Sequence, residues 1–600
     1  MRAIIGYWGR ADTGEKRRAL SKTLARIAGD QASKHLSFNS KWELDDRRNH
    51  SCVTEIISIE DKSGRGIVSA DEESLTASIS ASGITSEADI EIRADRDSLR
   101  LSRDPFGRIT LFWTRQQSVI WFSTQLRLLL SLTQSKRISA SGLYAYSCFS
   151  YVPTPLTPVE RIFSLPAGTE LIIKREDDSD TNFSETLSRL HEWSEAENLI
   201  DDEEQARLQL RHLLEEDIES QIGDVGSETV GVFLSGGLDS SISAALLARA
   251  GARLRAYALD FGEYGQSELP YAELVAAHLG IPLVKVSASP RRIQKAIRAT
   301  SQSLDLPFGD GVTVPLYLLS QAASHECAVV FNGEGGDQLF AGWTNKPIIA
   351  AEIYAAHAAE KSNFHHEYLK TFHRLHGYES AVFTDEILSE TRRLDSLNWI
   401  EDALDHSHTP SLLHRLRRAN LMLKGAQNIQ PRATNLALAN GLNVRSPFCY
   451  KPLALWSFNL SSELFLRGPC EKYLLKRAVE DMLPSDIVWR EKRGMGVPLT
   501  QWLLGPLWRE VGAWLAPEIL EREGRWQKDL ALRVALGRLS GHRQGRRIGE
   551  ILWLLMMWQA WRKTVFGEEV YKLFYNPFWL RPGWWEWRMS RKEETLWQQS

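Results

Sequence analysis

At 600 residues the chain is too long for one compact core, so two or more domains are expected. Its 43% hydrophobic and 25% charged residues match an ordinary soluble protein rather than a disordered or membrane-embedded chain. The 72 basic and 76 acidic side chains leave a net charge of −4 with no long basic block, which argues against a grip on nucleic acid.

Residues 1–130 carry short β-type runs (AIIGYW, ADIEIRAD, ITLFW, VIWFS) separated by Gly, Ser and Asp, which predict a β-rich first domain. Residues 131–202 read as a connector: the prolines of YVPTPLTPVERIF forbid a long regular element, and KREDDSD and LIDDEE are polar. From Glu203 the pattern changes to an amphipathic helix, EEQARLQLRHLLEEDIESQI, followed by alternating strands and helices. That alternation predicts an α/β domain with a doubly wound parallel sheet, mostly helical after Trp343, over residues 203–566. The last segment, 567–600, is rich in tryptophan, with Phe578, Trp579, Trp584, Trp585 and Trp587. ILWLLMMWQAWRK is too short to span a bilayer and reads as a buried helix. The five cysteines (Cys52, Cys148, Cys327, Cys449, Cys470) show no CxxC spacing, and MRAIIGYWGR has no signal pattern, so a cytoplasmic enzyme is expected.

One junction carries the chemistry. VGVFLSGGLDSSISAALLAR joins a strand to a helix through two glycines, a geometry that offers backbone N–H groups and a helix N-terminus to an anion. Ser235, Gly236, Gly237, Leu238, Ser240 and Ser241 therefore form a candidate phosphate loop, although it matches neither GxxxxGK[ST] nor GxGxxG. Asp239 would repel a phosphate unless a cation lay between them, which implies Mg²⁺. A second strand ending in glycine, CAVVFNGEGGDQLFAGW, supplies Asp337. Ligands of doubly wound sheets sit at the carboxyl ends of strands, so Asp239 and Asp337 are expected to share one metal ion.

SGGLDSS resembles the pyrophosphate loop of the asparagine synthetase superfamily, and NGEGGDQLFAGW resembles its GEGxDELFxGY motif. Further segments are similar in the same order: RDPFGRITLFW, YVPTPLTPVERIFSLPAG, SELPYAELVAAHLG, LDLPFGDGVTVPLYLL, NVRSPF, and EKYLLKRAVEDMLPSDIVWREKRGMGVPLTQWL. The resemblance implies a β-rich class II glutaminase-like (Ntn-hydrolase-like) sandwich followed by a PP-loop synthetase domain. It implies ATP-dependent amide formation through an acyl-adenylate, with release of AMP and pyrophosphate. It places Leu234, Leu259, Asn332 and Gly333 at nucleotide-contacting positions and Lys492 at the lysine facing the phosphates. Glu334 matches the glutamate of GEG, set to orient an acceptor amine, to take its proton, or to cap the adjacent helix. Asp305 and Asp310 are candidates for the acceptor pocket, or else polar residues that flank helices.

The pattern also fails in informative places. Glutamine-dependent members carry a nucleophilic cysteine where this chain has Arg2, and their R-G-P-D segment is unrecognisable in LSFNSKWEL, so a degenerate glutaminase domain is expected. The family's D-R-M-S-M-A-H-S-L-E becomes TNLALANGLN (Thr434–Asn443), which replaces charged acceptor positions with neutral ones. These departures and the 21 tryptophans make the chain most similar to lasso-peptide macrolactam synthetases, which join an Asp or Glu side chain to a peptide N-terminal amine. That reading predicts an aromatic-lined cleft, a precursor-peptide substrate, and a leader peptidase or leader-binding protein as partner. The alternatives are amidation of aspartate or another small carboxylic acid with free ammonia, and a non-catalytic scaffold. The histidines of SNFHHEYLKTFHRLHGY read as a solvated helical face rather than a metal site.

Overall fold

The computed structural model describes residues 3–9, 37–39, 53–60, 67–70, 74–84, 87–95, 97–133, 135, 137–176, 182–264, 268–342, 364–372, 375–491, 495–539, 547–568 and 576–580. Strands β1 (Ala3–Gly9), β2 (Ser37–Asn39), β3 (Val53–Glu60), β8 (Phe112–Gln116), β9 (Val119–Ser123) and β10 (Phe163–Ser164) form one antiparallel sheet, ordered β10-β8-β9-β1-β3-β2. A second comprises β4 (Ile67–Ala70), β5 (Leu75–Ile79), β6 (Ile90–Ala94), β7 (Ser98–Arg103), β11 (Thr169–Arg175) and β12 (Phe183–Arg189), ordered β12-β11-β7-β6-β5-β4. Alternation sets its faces: Ile90, Ile92 and Ala94 are buried while Glu91 and Arg93 are exposed. All seven residues of β1 are buried, so its unbroken apolar run has both faces covered. Ile4, Trp8 and Ile120 from one sheet share a hydrophobic core with Leu75, Ile92 and Leu171 from the other.

The stretch 131–202, expected as a connector, supplies β10, β11 and β12, which pair Phe163 with Trp113 and Leu171 with Leu101. It also holds the helix Ala140–Phe149, whose N-cap Ser139 accepts from the Gly142 N–H. Prolines do exclude long elements there, but strands paired to distant partners need no local periodicity.

The second half is built on β13 (Val230–Phe233), β14 (Leu254–Asp260), β15 (Leu283–Ser287), β16 (Val329–Phe331) and β17 (Asn443–Arg445), a parallel sheet ordered β15-β14-β13-β16-β17. The helix Glu203–Ile222 leads into it. Asp202 caps that helix by accepting from the Gln205 N–H, and Ala206, Leu210, Leu214 and Ile218 bury one stripe at helical spacing. Helices Leu238–Arg249, Leu269–Leu279 and Thr313–Ala323 alternate with the strands as the sequence predicts, and a further helix, Pro290–Leu304, lies between β15 and Thr313–Ala323. Strand β17 was not visible as an element, since three residues carry too little pattern. A π-helical segment, Leu421–Ile429, joins the helices Leu412–Asn420 and Gln430–Ala439.

Arg445, at the end of β17, fastens the two halves together: its guanidinium donates to the Ser82 carbonyl, the Gln221 carbonyl and the Asp224 carboxylate. The helix Arg547–Trp561 has Leu552, Trp553, Met556 and Trp558 fully buried, which makes it a core helix. Among the described residues no helix is long and apolar enough to cross a membrane.

Candidate active site

Strands β13 and β16 are neighbours, pairing Val232 with Phe331, while the chain leaves β13 toward β14 and leaves β16 toward β17. The sheet order therefore reverses between them, and a crevice opens at their carboxyl ends. Both glycine motifs start there. In the first, Gly236 adopts φ +76°, and a β-carbon on it would lie 2.5 Å from Ala272 N, so only glycine lets this turn pack on the next helix. The Ser235 N–H donates to Ser240 Oγ at 3.2 Å, the Gly237 N–H donates to Ser235 Oγ at 3.2 Å, and Ser241 Oγ donates to the Gly237 carbonyl at 2.8 Å. The hydroxyls thus hold the loop in shape over the helix that begins at Leu238.

Asn332 locks the second motif to the first. Its side-chain oxygen accepts from the Glu334 N–H at 3.0 Å, and its carbonyl accepts from Ser243 Oγ at 3.1 Å. Glycines allow the close approach: a β-carbon on Gly333 would sit 2.5 Å from Ser240 N, and one on Gly336 would sit 2.6 Å from Asp239 Cγ. Asp239 and Asp337 consequently converge on one cation, the ammonium of Lys472. Its Nζ lies 2.5 Å from Asp239 Oδ1 and 2.5 Å from Asp337 Oδ1. Lys472 is 3% exposed.

These groups open into a cavity of about 970 Å³. Leu234, Ser235, Gly237, Leu238, Asp239, Ser240, Leu259, Asn332, Gly333, Glu334 and Asp337, all singled out in the sequence, line it. Gly236 and Ser241 do not: Gly236 faces the neighbouring helix, and Ser241 is fully buried beneath the loop, so its expected role as a ligand donor becomes a structural one. Lys492 lies outside the described residues.

The far wall carries Asp310, whose Oδ2 accepts from Asn428 Nδ2 at 2.6 Å and from Arg432 Nη1 at 2.7 Å. Leu436, from the Thr434–Asn443 segment, lines the same wall beside Ala433. Asp305 does not. It caps the helix Leu126–Thr133, accepting from the Arg127 N–H at 3.2 Å, and burial pushes its carboxyl up to about 6.

No tryptophan lines the cavity among the described residues. Trp502, Trp526, Trp553, Trp558 and Trp561 are fully buried in the core, and the aromatic side chains on the cavity wall are instead Phe233, Tyr257 and Phe261. Of the tail, Phe578 packs on Trp508 at 4.6 Å between ring centroids, and Trp508 Nε1 donates to the Leu580 carbonyl. Trp584, Trp585 and Trp587 lie outside the described residues.

Sequence reasoning missed Lys472 as a site residue, although it stands in the quoted EKYLLKR. It also missed Arg490, which stacks on Tyr271 at 3.9 Å and pairs with Glu268 on the cavity wall. A basic residue in a charged segment carries no local sign of where it points.

The family model for asparagine synthase matches residues 209–563, more than half of the chain, and the model for a glutamine amidotransferase domain matches residues 92–184. The chain belongs to the asparagine synthase family. As a member of that family it is an ATP-dependent carbon–nitrogen ligase. It is 23% identical over 486 residues to asparagine synthetase (glutamine-hydrolyzing) 1 of Bacillus subtilis (strain 168), covering 77% of this chain and 74% of that one. Asparagine synthetase (glutamine-hydrolyzing) 3 of the same organism is 25% identical over 417 residues, covering 66% and 64%. Among solved structures, an NH3-dependent NAD synthetase from Campylobacter jejuni subsp. jejuni aligns with TM-score 0.18 and 18% identity, over 24% of this chain and 61% of that one. The amidotransferase match of this asparagine synthase family chain extends through β11, in keeping with the strands found beyond residue 131.

Proposed function

We propose that the chain adenylates a carboxylate and transfers the acyl group to an amine of the same peptide, in the manner of a lasso-peptide macrolactam synthetase. A carboxylate oxygen attacks the α-phosphorus of ATP, and the bond to the bridging oxygen breaks as pyrophosphate leaves. The amine nitrogen then attacks the acyl carbon, AMP departs, and the nitrogen gives up a proton. The observation that carries the ligase reading is the meeting of Asp239 and Asp337 on one cationic centre at the point where the sheet order reverses. Two carboxylates fit Mg²⁺, which takes one or two from the protein and completes its shell with water and phosphate oxygens. Held by Asp239 and Asp337, Mg²⁺ would supply a counter-charge to the departing pyrophosphate. The loop Ser235–Ser240 is assigned to the pyrophosphate, Lys492 to negative charge developing on the phosphates, and Glu334 to the acceptor amine.

Three features support a peptide amine over glutamine-derived ammonia. Burial raises the thiols of Cys148 and Cys327, and it pushes that of Cys449 up to about 12, so none of these is an activated nucleophile. The neutral Ala433 and Leu436 face the cavity, where a small charged amino acid would need partners. The cavity is also large, near the upper end for pockets that enclose a small molecule. A second reading is amidation of aspartate or another small acid with ammonia. It is favoured by the Arg432–Asp310 pair, which offers both charges that an amino acid's carboxylate and amine require.

Co-expression with a precursor peptide and its leader peptidase tests the choice. A product lighter by one water, absent with Asp239→Asn, supports cyclisation. Asparagine made by the purified chain from ammonium and aspartate selects the second reading.

A further inference from the structure

Lys472 occupies the point where the two carboxylates meet, and the surrounding residues are shaped to put it there. It starts the helix Tyr473–Val479 from the left-handed region, at φ +56°, a conformation that L residues rarely adopt. Gly342 is the residue that lets it pass, since a β-carbon there would collide with the Lys472 side chain and crowd Asp337. The ammonium is almost wholly buried and reaches a carboxylate on each side.

We infer that Lys472 is an internal placeholder for the divalent cation: in the nucleotide-free chain its ammonium holds Asp239 and Asp337 together, and it leaves that centre when a magnesium–nucleotide complex enters. Two carboxylates brought together in a partly desolvated crevice repel each other, and they need a positive charge to stay ionised side by side. The ammonium supplies one before any ligand arrives, so the two glycine motifs are already in register. A dication at the same centre lies too close to an ammonium for both to remain, because like charges at ion-pair distance repel as strongly as opposite ones attract. Lys472 is therefore a positioning residue that couples magnesium to nucleotide entry. Metal alone meets an occupied centre, whereas metal delivered with ATP brings phosphate oxygens that complete its shell and compensate its charge.

The inference rests on the reading of Asp239 and Asp337 as shared metal ligands, and it is tested by ATP-binding calorimetry over a series of MgCl₂ concentrations, alongside melting curves without nucleotide. Lys472→Met is expected to melt earlier without ligand, to gain a thermal shift from MgCl₂ alone that the wild type lacks, and to reach half-maximal ATP binding at roughly tenfold less magnesium. Lys472→Arg keeps a permanent charge with a fork suited to two carboxylates. It is expected to restore the ligand-free melting temperature and to raise the magnesium midpoint. An equal loss of ATP affinity for Lys472→Met at every magnesium concentration would mark a fixed phosphate ligand and overturn the placeholder role. If Lys472→Met does not fold, Lys472→Arg decides alone, because an unchanged midpoint also overturns the role. Asp239→Asn separates the two layers: unchanged magnesium dependence in that variant sinks the metal assignment itself, whereas lost dependence leaves only the role of Lys472 in question.

Discussion

At the scale of single residues, the site depends on side chains that are absent as much as on those present. A methyl group on Gly336 would lie 2.6 Å from Asp239 Cγ. Gly336→Ala is therefore expected to push the carboxylates apart, to cost about 1–3 kcal/mol of stability, and to abolish magnesium-dependent ATP binding, as read by urea melts and calorimetry. Asp305 gives a pH signature. Its carboxyl titrates at about 6 in the folded chain because of burial, and near 4 in the unfolded chain. The folded state binds the extra proton between those values, so the contribution is complete below pH 4 and is lost as the pH rises through 6. Asp305→Asn keeps an acceptor for the Arg127 N–H without titrating. It should gain on the wild type by about 2–3 kcal/mol from pH 4 to pH 7 in parallel denaturant melts. The glycine loop and the two carboxylates that meet on Lys472 were legible in the sequence because strand, glycine and helix are contiguous there. Lys472 was not, since its position comes from a separate segment more than 200 residues downstream of Asp239.

At the scale of elements, tryptophan is the main binding material of the second half. Trp553 and Trp561, on the helix Arg547–Trp561, donate to the carbonyls of Asp310 and Asp305, so this core helix braces the wall that holds the candidate acceptor residues. Trp553→Phe should cost about 1 kcal/mol through one lost hydrogen bond, and Trp553→Ala about 3–5 kcal/mol through the cavity left behind, in equilibrium unfolding. The tail is held differently. Phe578 is fully buried against Trp508, while Trp579 is 57% exposed. Phe578→Ala is expected to release the segment to limited proteolysis while the ATP-binding midpoint stays where it is. Composition revealed the aromatic excess but not its use. Helical spacing is the same whether a tryptophan faces a core or a substrate, and here it faces the core.

At the scale of the whole molecule, the two halves act as one body through buried polar contacts. Besides Arg445, the Val444 N–H donates to the Ala81 carbonyl, and Arg103 reaches the carbonyls of Ile109 and Leu165 in its own half and of Ala426 in the other. Arg445→Met would remove the buried donor from the Ser82 and Gln221 carbonyls, at about 1–3 kcal/mol for each acceptor left unpaired. It is expected to split a single unfolding transition into two in calorimetry, with the first domain melting earlier. The amidotransferase-like domain is thereby part of the synthetase scaffold, since β17 of the second half is held by backbone from the first.

The sequence by itself determined the class of fold, the order of strands from β13 to β16, and the two loops that carry Asp239 and Asp337, because each is written within a dozen contiguous residues. Tertiary structure alone decided that residues 163–189 complete the first domain's sheets, that Asp305 serves a helix end instead of the cavity, and that Trp502, Trp526, Trp553, Trp558 and Trp561 fill the interior. It alone brought Lys472 to the carboxylates. Pairing between distant strands and the direction of a long side chain depend on what lies across the fold, and no local pattern records that.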